Sequence, residues 1–379
     1  MIVAGIAFFA MQPPSISQLV SQVSPERLRA TVEKLASYNT RNTLSPTLNE
    51  AAEWLAGEYR KIPGIQAEVM SYTLPKGRRV PEDKTVVQVV ATLPGETDHR
   101  ILIGGHMDSL NLQVDPVTGR APGANDDSSG VAVALELARI LAPYKWRQTL
   151  VFVGFSGEEQ GLNGSRALAK RAKEEGWKLD AVLNNDTVGS SSNKAGQKDT
   201  GHVRVFSDEN DRELARFIEH TVRANVKGFG IKLVLRKDRF GRGGDHTPFS
   251  EEGFPAVRFI EVHEEYTRQH TPDDLPEHMD WKYLANVAKA DLASMATLAQ
   301  ADEPPTSVHV KLDQSHDTTL TWKGKPGVKY VVYWRDTASA AWQGAIPVGA
   351  VETFTIKKIN KDDHYFAVGA ENGIPVPAK

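Results

Sequence analysis

Three short apolar runs in this chain each give way, within a few residues, to a histidine or a carboxylate, and a fourth, largely apolar run precedes a histidine by eight residues. Residues 101–104 lead to His106, 150–155 to Glu158 and Glu159, 181–183 to Asp186, and 256–262 to His270. Runs this short and this apolar read as strands covered on both faces. The segments between them (128–141, 162–175, 212–224 and 281–300) carry helical periodicity. That alternation requires a mostly parallel sheet with helices on both faces. Ligands of such sheets gather beyond the carboxyl ends of the strands, where these polar residues stand. The fold expected is α/β, and fold and site predict each other.

Five side chains in this pattern suit a metal. They are His106 in Gly104-Gly105-His106-Met107-Asp108, Asp126 in Asn125-Asp126-Asp127-Ser128, and Glu159 in Gly157-Glu158-Glu159-Gln160-Gly161. Asp186 in Asn184-Asn185-Asp186-Thr187 and His270 in Gln269-His270-Thr271-Pro272 complete the set. The chain has no cysteine, so disulfides, thiolate ligands and cysteine nucleophiles are all excluded. Any metal must be held by nitrogen and oxygen. Two zinc ions sharing one carboxylate fit the count. Three carboxylates and one hydroxide balance two dications, so the cluster tolerates a partly dry pocket.

Neighbouring residues divide the remaining work. Glu158 and Glu159 are adjacent and cannot both face one metal, so one ligates and the other, free to move protons, is a general base. A Glu-Glu pair is ordinarily solvated surface, but this one directly follows a buried strand. Asp108 stands two residues after His106, placed to accept from its imidazole or to shape the loop. Asp127 caps the helix that follows and supports the site. His246 either lines the pocket or packs the loop around it. Phe240, Phe249, Phe254 and Tyr266 are candidates for an apolar pocket and equally for ordinary core. No His-Glu-x-x-His pattern, phosphate loop or nucleophile elbow is present. With 25% charged residues, a formal net charge of -3 and no basic run, nothing points to nucleic acid. No apolar run reaches the length of a membrane span.

The 379 residues divide by composition. Residues 1–14 contain an apolar run of signal-peptide length and read as a truncated signal segment, which implies a periplasmic or secreted protein. The catalytic region occupies 15–300. Ala301-Asp302-Glu303-Pro304-Pro305-Thr306 is a linker (301–306). Alternating short strands over 307–379 form a small β-sandwich; Trp322 and the 365–373 stretch make it resemble a fibronectin type III module, suited to docking.

Over roughly 15–300 the five motifs resemble the M28 family of co-catalytic zinc aminopeptidases. The resemblance implies that His106 and Asp186 hold one zinc, that Glu159 and His270 hold the other, and that Asp126 bridges them. It further implies that Glu158 is the general base and that the Asp126–Asp127 peptide is cis. Where relatives place a tyrosine before the last histidine, this chain has Gln269. The activity implied is removal of N-terminal residues from peptides with a free N-terminus. Alternatives are a metallocarboxypeptidase of the same fold, which needs a basic group such as Arg239, Arg242 or Arg268, and a non-catalytic binding protein. A one-zinc glutaminyl cyclase does not need all five ligands.

Overall fold

A computed structural model describes residues 11–77 and 79–379. Most of the proposed leader therefore lies outside the described residues; Met11 pairs with the main chain of Pro143 and Lys145. The helices of the catalytic region are α1 (Ile16–Val20), α2 (Pro25–Ala36), α3 (Pro46–Arg60), α4 (Ser128–Leu141), α5 (Asn163–Glu174), α6 (Arg212–Asn225), α7 (His246–Glu251) and α8 (Trp281–Leu298). Its strands are β1 (Gln66–Leu74), β2 (Lys84–Leu93), β3 (His99–His106), β4 (Thr149–Phe155), β5 (Lys178–Asn185), β6 (His202–Ser207), β7 (Gly230–Val234) and β8 (Ala256–Glu261).

These eight strands form one twisted sheet in the order β1-β2-β4-β3-β5-β8-β6-β7. Its centre, β4-β3-β5-β8, is parallel as expected. The flanks are not: β2 runs antiparallel to both β1 and β4, and β6 runs antiparallel to β8. Every residue of β4 and β8 is buried, which is the signature of strands covered on both faces. β1 alternates exposed and covered positions, as an edge strand does. Helices α2, α4, α6 and α8 pack on one face around Leu135, Leu137, Phe217, Ile218, Leu284 and Leu292, and α5 and α7 cover the other around Leu168 and Phe249.

Ser24 and Pro25 separate α1 from α2. The Ser24 hydroxyl accepts from the Arg27 amide, so α2 starts afresh there. β6 and β7 escape a reading based on apolar runs, because each is short and interrupted by a cation, Arg204 or Lys232.

The chain beyond Ala301 folds as a two-sheet sandwich of β9 (Thr306–Val310), β10 (Thr318–Lys323), β11 (Tyr330–Asp336), β12 (Gly344–Gly349), β13 (Thr353–Ile356), β14 (His364–Ala370) and β15 (Val376–Pro377). One sheet is ordered β13-β10-β9 and the other β12-β11-β14-β15. Between them pack Leu320, Trp322, Tyr330, Val332, Ile356, Phe366 and Val368. The sandwich rests on α6: Arg216 and Arg223 donate to the carbonyls of Ala340 and Trp342 at 2.8 Å each, and His220 meets Tyr333 edge-on with centroids 5.6 Å apart. None of these residues lines the cavity described below. Deleting the chain after Ala301 should therefore lower the melting temperature, through exposure of the α6 face, and leave turnover of small substrates within the same order of magnitude. A folded but inactive truncation would show that the sandwich takes part in the chemistry.

Candidate metal centre

The carboxyl ends of the central strands meet at one place. β3 ends on His106, β5 runs into Asp186, the turn after β4 carries Glu158 and Glu159, and the segment after β8 brings in His270. Asp126 arrives from the β3–α4 loop, one residue before the helix cap. His106 Nε2 lies 3.0 Å from Asp126 Oδ1 and 3.9 Å from Asp186 Oδ1. His270 Nε2 lies 3.1 Å from both Asp126 Oδ2 and Glu159 Oε1. Two ligand groups result, His106–Asp126–Asp186 and Asp126–Glu159–His270, and Asp126 belongs to both. All five residues expected from the sequence converge, and Glu158 lines the same cavity without belonging to either group.

The surroundings fix each donor. His106 Nδ1 lies 3.0 Å from the Asp108 main-chain carbonyl, which aims Nε2 at the carboxylates. The Asp108 carboxylate lies farther from the ring, with Oδ1 3.5 Å from Nδ1, and accepts from the Thr43 hydroxyl (3.0 Å) and from the amides of Glu159 (3.3 Å) and Glu158 (3.4 Å). Asp108 thus orients the ring through its carbonyl and shapes the Glu158–Glu159 turn through its side chain. Asp127 accepts from the amides of Gly130, Thr187 and His106 and from the Ser129 hydroxyl, capping α4 and tying it to two ligand strands. The Asp126–Asp127 peptide is cis, as the resemblance implied.

Three further supports were given no such role from the sequence. Asp274 accepts from the amides of Asn125 and Asp126, both at 2.9 Å. Gln269 donates to Asp126 Oδ2 at 2.7 Å, so it grips the shared carboxylate. Arg258 on β8 reaches Asp186 Oδ2 at 2.8 Å and leaves Oδ1 facing His106.

Arg41, the most deeply buried of these supports, was equally silent. It is fully buried and has no carboxylate partner among the described residues. Its guanidinium donates to the carbonyls of Met107 and Leu35 (2.7 Å each) and Gly123 (3.0 Å), and to the Ser128 hydroxyl (2.9 Å). Burial lowers its pKa to about 10, with Asp274 and Asp108 opposing that fall. Each buried acceptor stranded by Arg41→Met costs about 1–3 kcal/mol, so the variant should lose at least about 3 kcal/mol of unfolding free energy. Urea denaturation checks this, and an unchanged midpoint would mean that water replaces the guanidinium.

The donor set fits zinc. It consists of imidazole nitrogen and carboxylate oxygen, the ligands zinc takes where thiolates are absent. Glu159 Oε1 is buried and faces His270 Nε2 at 3.1 Å without a well-formed hydrogen bond among the described residues, as two donors to one metal would. In the chain alone, burial pulls the His270 pKa down, but Asp126 and Glu159 outweigh it and push it up to about 11. His106 is likewise raised, with burial opposed by Asp108 and Asp126. A cation seated between these groups takes over that neutralising role. Burial also raises the Glu158 carboxyl well above the ordinary range.

Comparison with known proteins gives the family. Residues 88–295 match the model for Peptidase family M28. A probable zinc metalloprotease of the fungus Leptosphaeria maculans is 36% identical over 401 residues, covering 93% of each chain. The chain belongs to peptidase family M28. It is a zinc metallopeptidase, and peptides are its substrates.

Among solved structures, the LapA aminopeptidase of Legionella pneumophila superposes with a TM-score of 0.62 at 21% identity, covering 76% of this chain and 75% of that one. Glutaminyl cyclase of Fimbriiglobus ruber gives 0.59 at 18%, covering 72% and 94%. An M28-type fold therefore carries more than one chemistry, and the choice between them rests on the site. His246 is fully buried and packs the loop, with Nε2 2.9 Å from the Lys237 carbonyl. Arg268 lines a smaller neighbouring cavity. No described helix is long and apolar enough to cross a membrane.

Proposed function

We propose that this M28 chain is a dizinc aminopeptidase, a reading carried by one observation: two ligand groups share Asp126 beside a cavity that also holds Glu158. His106, Asp126 and Asp186 would hold one zinc, and Asp126, Glu159 and His270 the other. Zinc held there supplies Lewis acidity, acidifying water and polarising the carbonyl of the scissile bond. Glu158 takes the proton from the attacking water and delivers it to the leaving amine. Asp108 keeps Glu158 aimed by holding its amide and that of Glu159. Asp127, Asp274 and Gln269 fix the loop and side chain of Asp126. Arg258 leaves Asp186 one oxygen for the metal and stabilises its charge.

The fibronectin type III-like reading of the sandwich, a docking role for it and export from the cytoplasm belong to this proposal as well. A metallocarboxypeptidase is the second reading, favoured by the arginines that line the cavity. Free-amine aminoacyl anilides assayed beside their N-acetylated twins separate the two. Cleavage of only the free amines, abolished by a chelator and restored by zinc, is the expected outcome. Cleavage confined to N-blocked peptides with a free C-terminus would replace the aminopeptidase with the carboxypeptidase.

A further inference from the structure

The cavity beside the ligands has a volume of about 500 Å³, within the roughly 300–1,000 Å³ usual for small-ligand sites. Its wall departs from the apolar lining expected of a pocket for aliphatic or aromatic side chains. Leu162 is the one apolar side chain among the lining residues, whereas Arg79, Arg239, Arg242 and Arg258 all face it. The aromatic candidates are elsewhere: Phe249 is core, Phe254 packs against that core, and Phe240 and Tyr266 are 84% and 58% exposed.

The charges of these arginines are not equally balanced. Arg258 is neutralised by Asp186 and by Asp238 (3.0 Å). Arg239 is held by Asp238 and Glu264. Arg242 lies 3.8 Å from Glu264, a carboxylate already engaged by Arg204 and Arg239, and its side chain is 39% exposed. Arg79 donates to the Glu159 carbonyl at 3.0 Å and forms no ion pair among the described residues. Two cations therefore point into the cavity with coordination to spare.

Their frame is rigid on one side. Residues 236–242 carry four cations and one carboxylate. Arg258 pins this loop at Asp238 and at the Gly243 carbonyl (2.7 Å), and buried His246 pins it at Lys237. We infer that this pocket selects substrates with a carboxylate next to the scissile bond, received by Arg242 and Arg79. The inference rests on the peptidase reading above and adds the substrate class. Guanidinium forks bind carboxylates in two-point geometry. A leucyl side chain would instead desolvate the two cations without pairing them, and a basic one would be repelled.

The carboxylate has two chemical sources, an acidic side chain or the C-terminus of a short peptide, and the assay separates them. Zinc-loaded enzyme is given glutamyl and leucyl anilides, then N-acetylated dipeptides and their C-terminal amides. Preferential cleavage of the glutamyl anilide supports an acidic side chain. Cleavage of the blocked dipeptides but not their amides supports the terminal carboxylate. Arg242→Gln and Arg79→Gln should each lower the carboxylate-to-neutral ratio of kcat/KM about ten- to a hundredfold, the range of one charge-assisted bond. Arg236→Gln, on the same loop but outside the cavity, should leave that ratio in place. Calorimetry of an acidic and a leucyl dipeptide on zinc-loaded Glu158→Gln protein reads binding without turnover. Leucyl preference, with the ratio unmoved by either arginine variant, overturns the inference while the peptidase reading stands. Loss of every hydrolysis in the wild type, together with equal binding of both dipeptides, overturns both.

Discussion

Glu158→Gln should lower kcat by about 10²–10⁴-fold, the usual weight of a positioned proton acceptor, while zinc content and KM stay close to those of the parent. The substitution keeps the shape of the side chain and removes only its ability to accept a proton. Nothing that holds the turn depends on the carboxylate: Asp108 grips the amides of residues 158 and 159, and Gly157 donates to the Thr43 hydroxyl at 3.1 Å. Glu158 belongs to neither ligand group, so metal retention is the internal control. Turnover and zinc content measured on the same preparation decide the matter. A variant that keeps more than about a tenth of its turnover assigns the proton to another group. Loss of zinc along with turnover would make Glu158 a ligand and reverse its division of labour with Glu159.

The parts of this site that were legible in the sequence share a physical origin. A strand covered on both faces must be apolar, and it must end where the sheet meets solvent. A carboxylate or histidine directly after such a run is therefore conspicuous, as with His106, Glu158, Glu159 and Asp186. The α4 boundary was legible for a similar reason, since Asp127 is a good cap before an apolar helix. Arg41 and Arg258 were silent. Arg41 is satisfied by main-chain carbonyls from three separate segments, and a carbonyl leaves no trace in residue identity. Arg258 sits mid-strand in β8, where a cation argues against burial until the partners Asp186 and Asp238 are seen. Asp108 was half legible: its spacing from His106 marked it, but spacing does not distinguish a carbonyl that holds the ring from a carboxylate that holds the next turn. The antiparallel flanks were missed because strand direction depends on where a connection returns.

On the proposed dizinc reading, Asp126→Ala should reduce the zinc retained after dialysis from two ions per chain to at most one, and activity should fall below detection. Both of its oxygens face a ligand histidine, at 3.0 and 3.1 Å, so its removal takes one donor from each group and leaves two in each. Zinc sites in proteins ordinarily use three or four protein ligands, and a pair of donors holds the ion weakly. Loss of fold is not the expected explanation. The Asp126 amide remains bonded to Asp274, and Asp127 still caps α4. In the metal-free chain the variant also takes away the carboxylate that pairs with both His106 and His270, so its metal-free melting temperature should fall, and the gain in melting temperature on adding zinc should shrink as well. The zinc-induced gain separates a ligand from a structural residue, because a structural aspartate would lower the metal-free curve and leave that gain in place. Two zinc ions retained at parental affinity would remove Asp126 from the shared position and leave the two ligand groups without a common member.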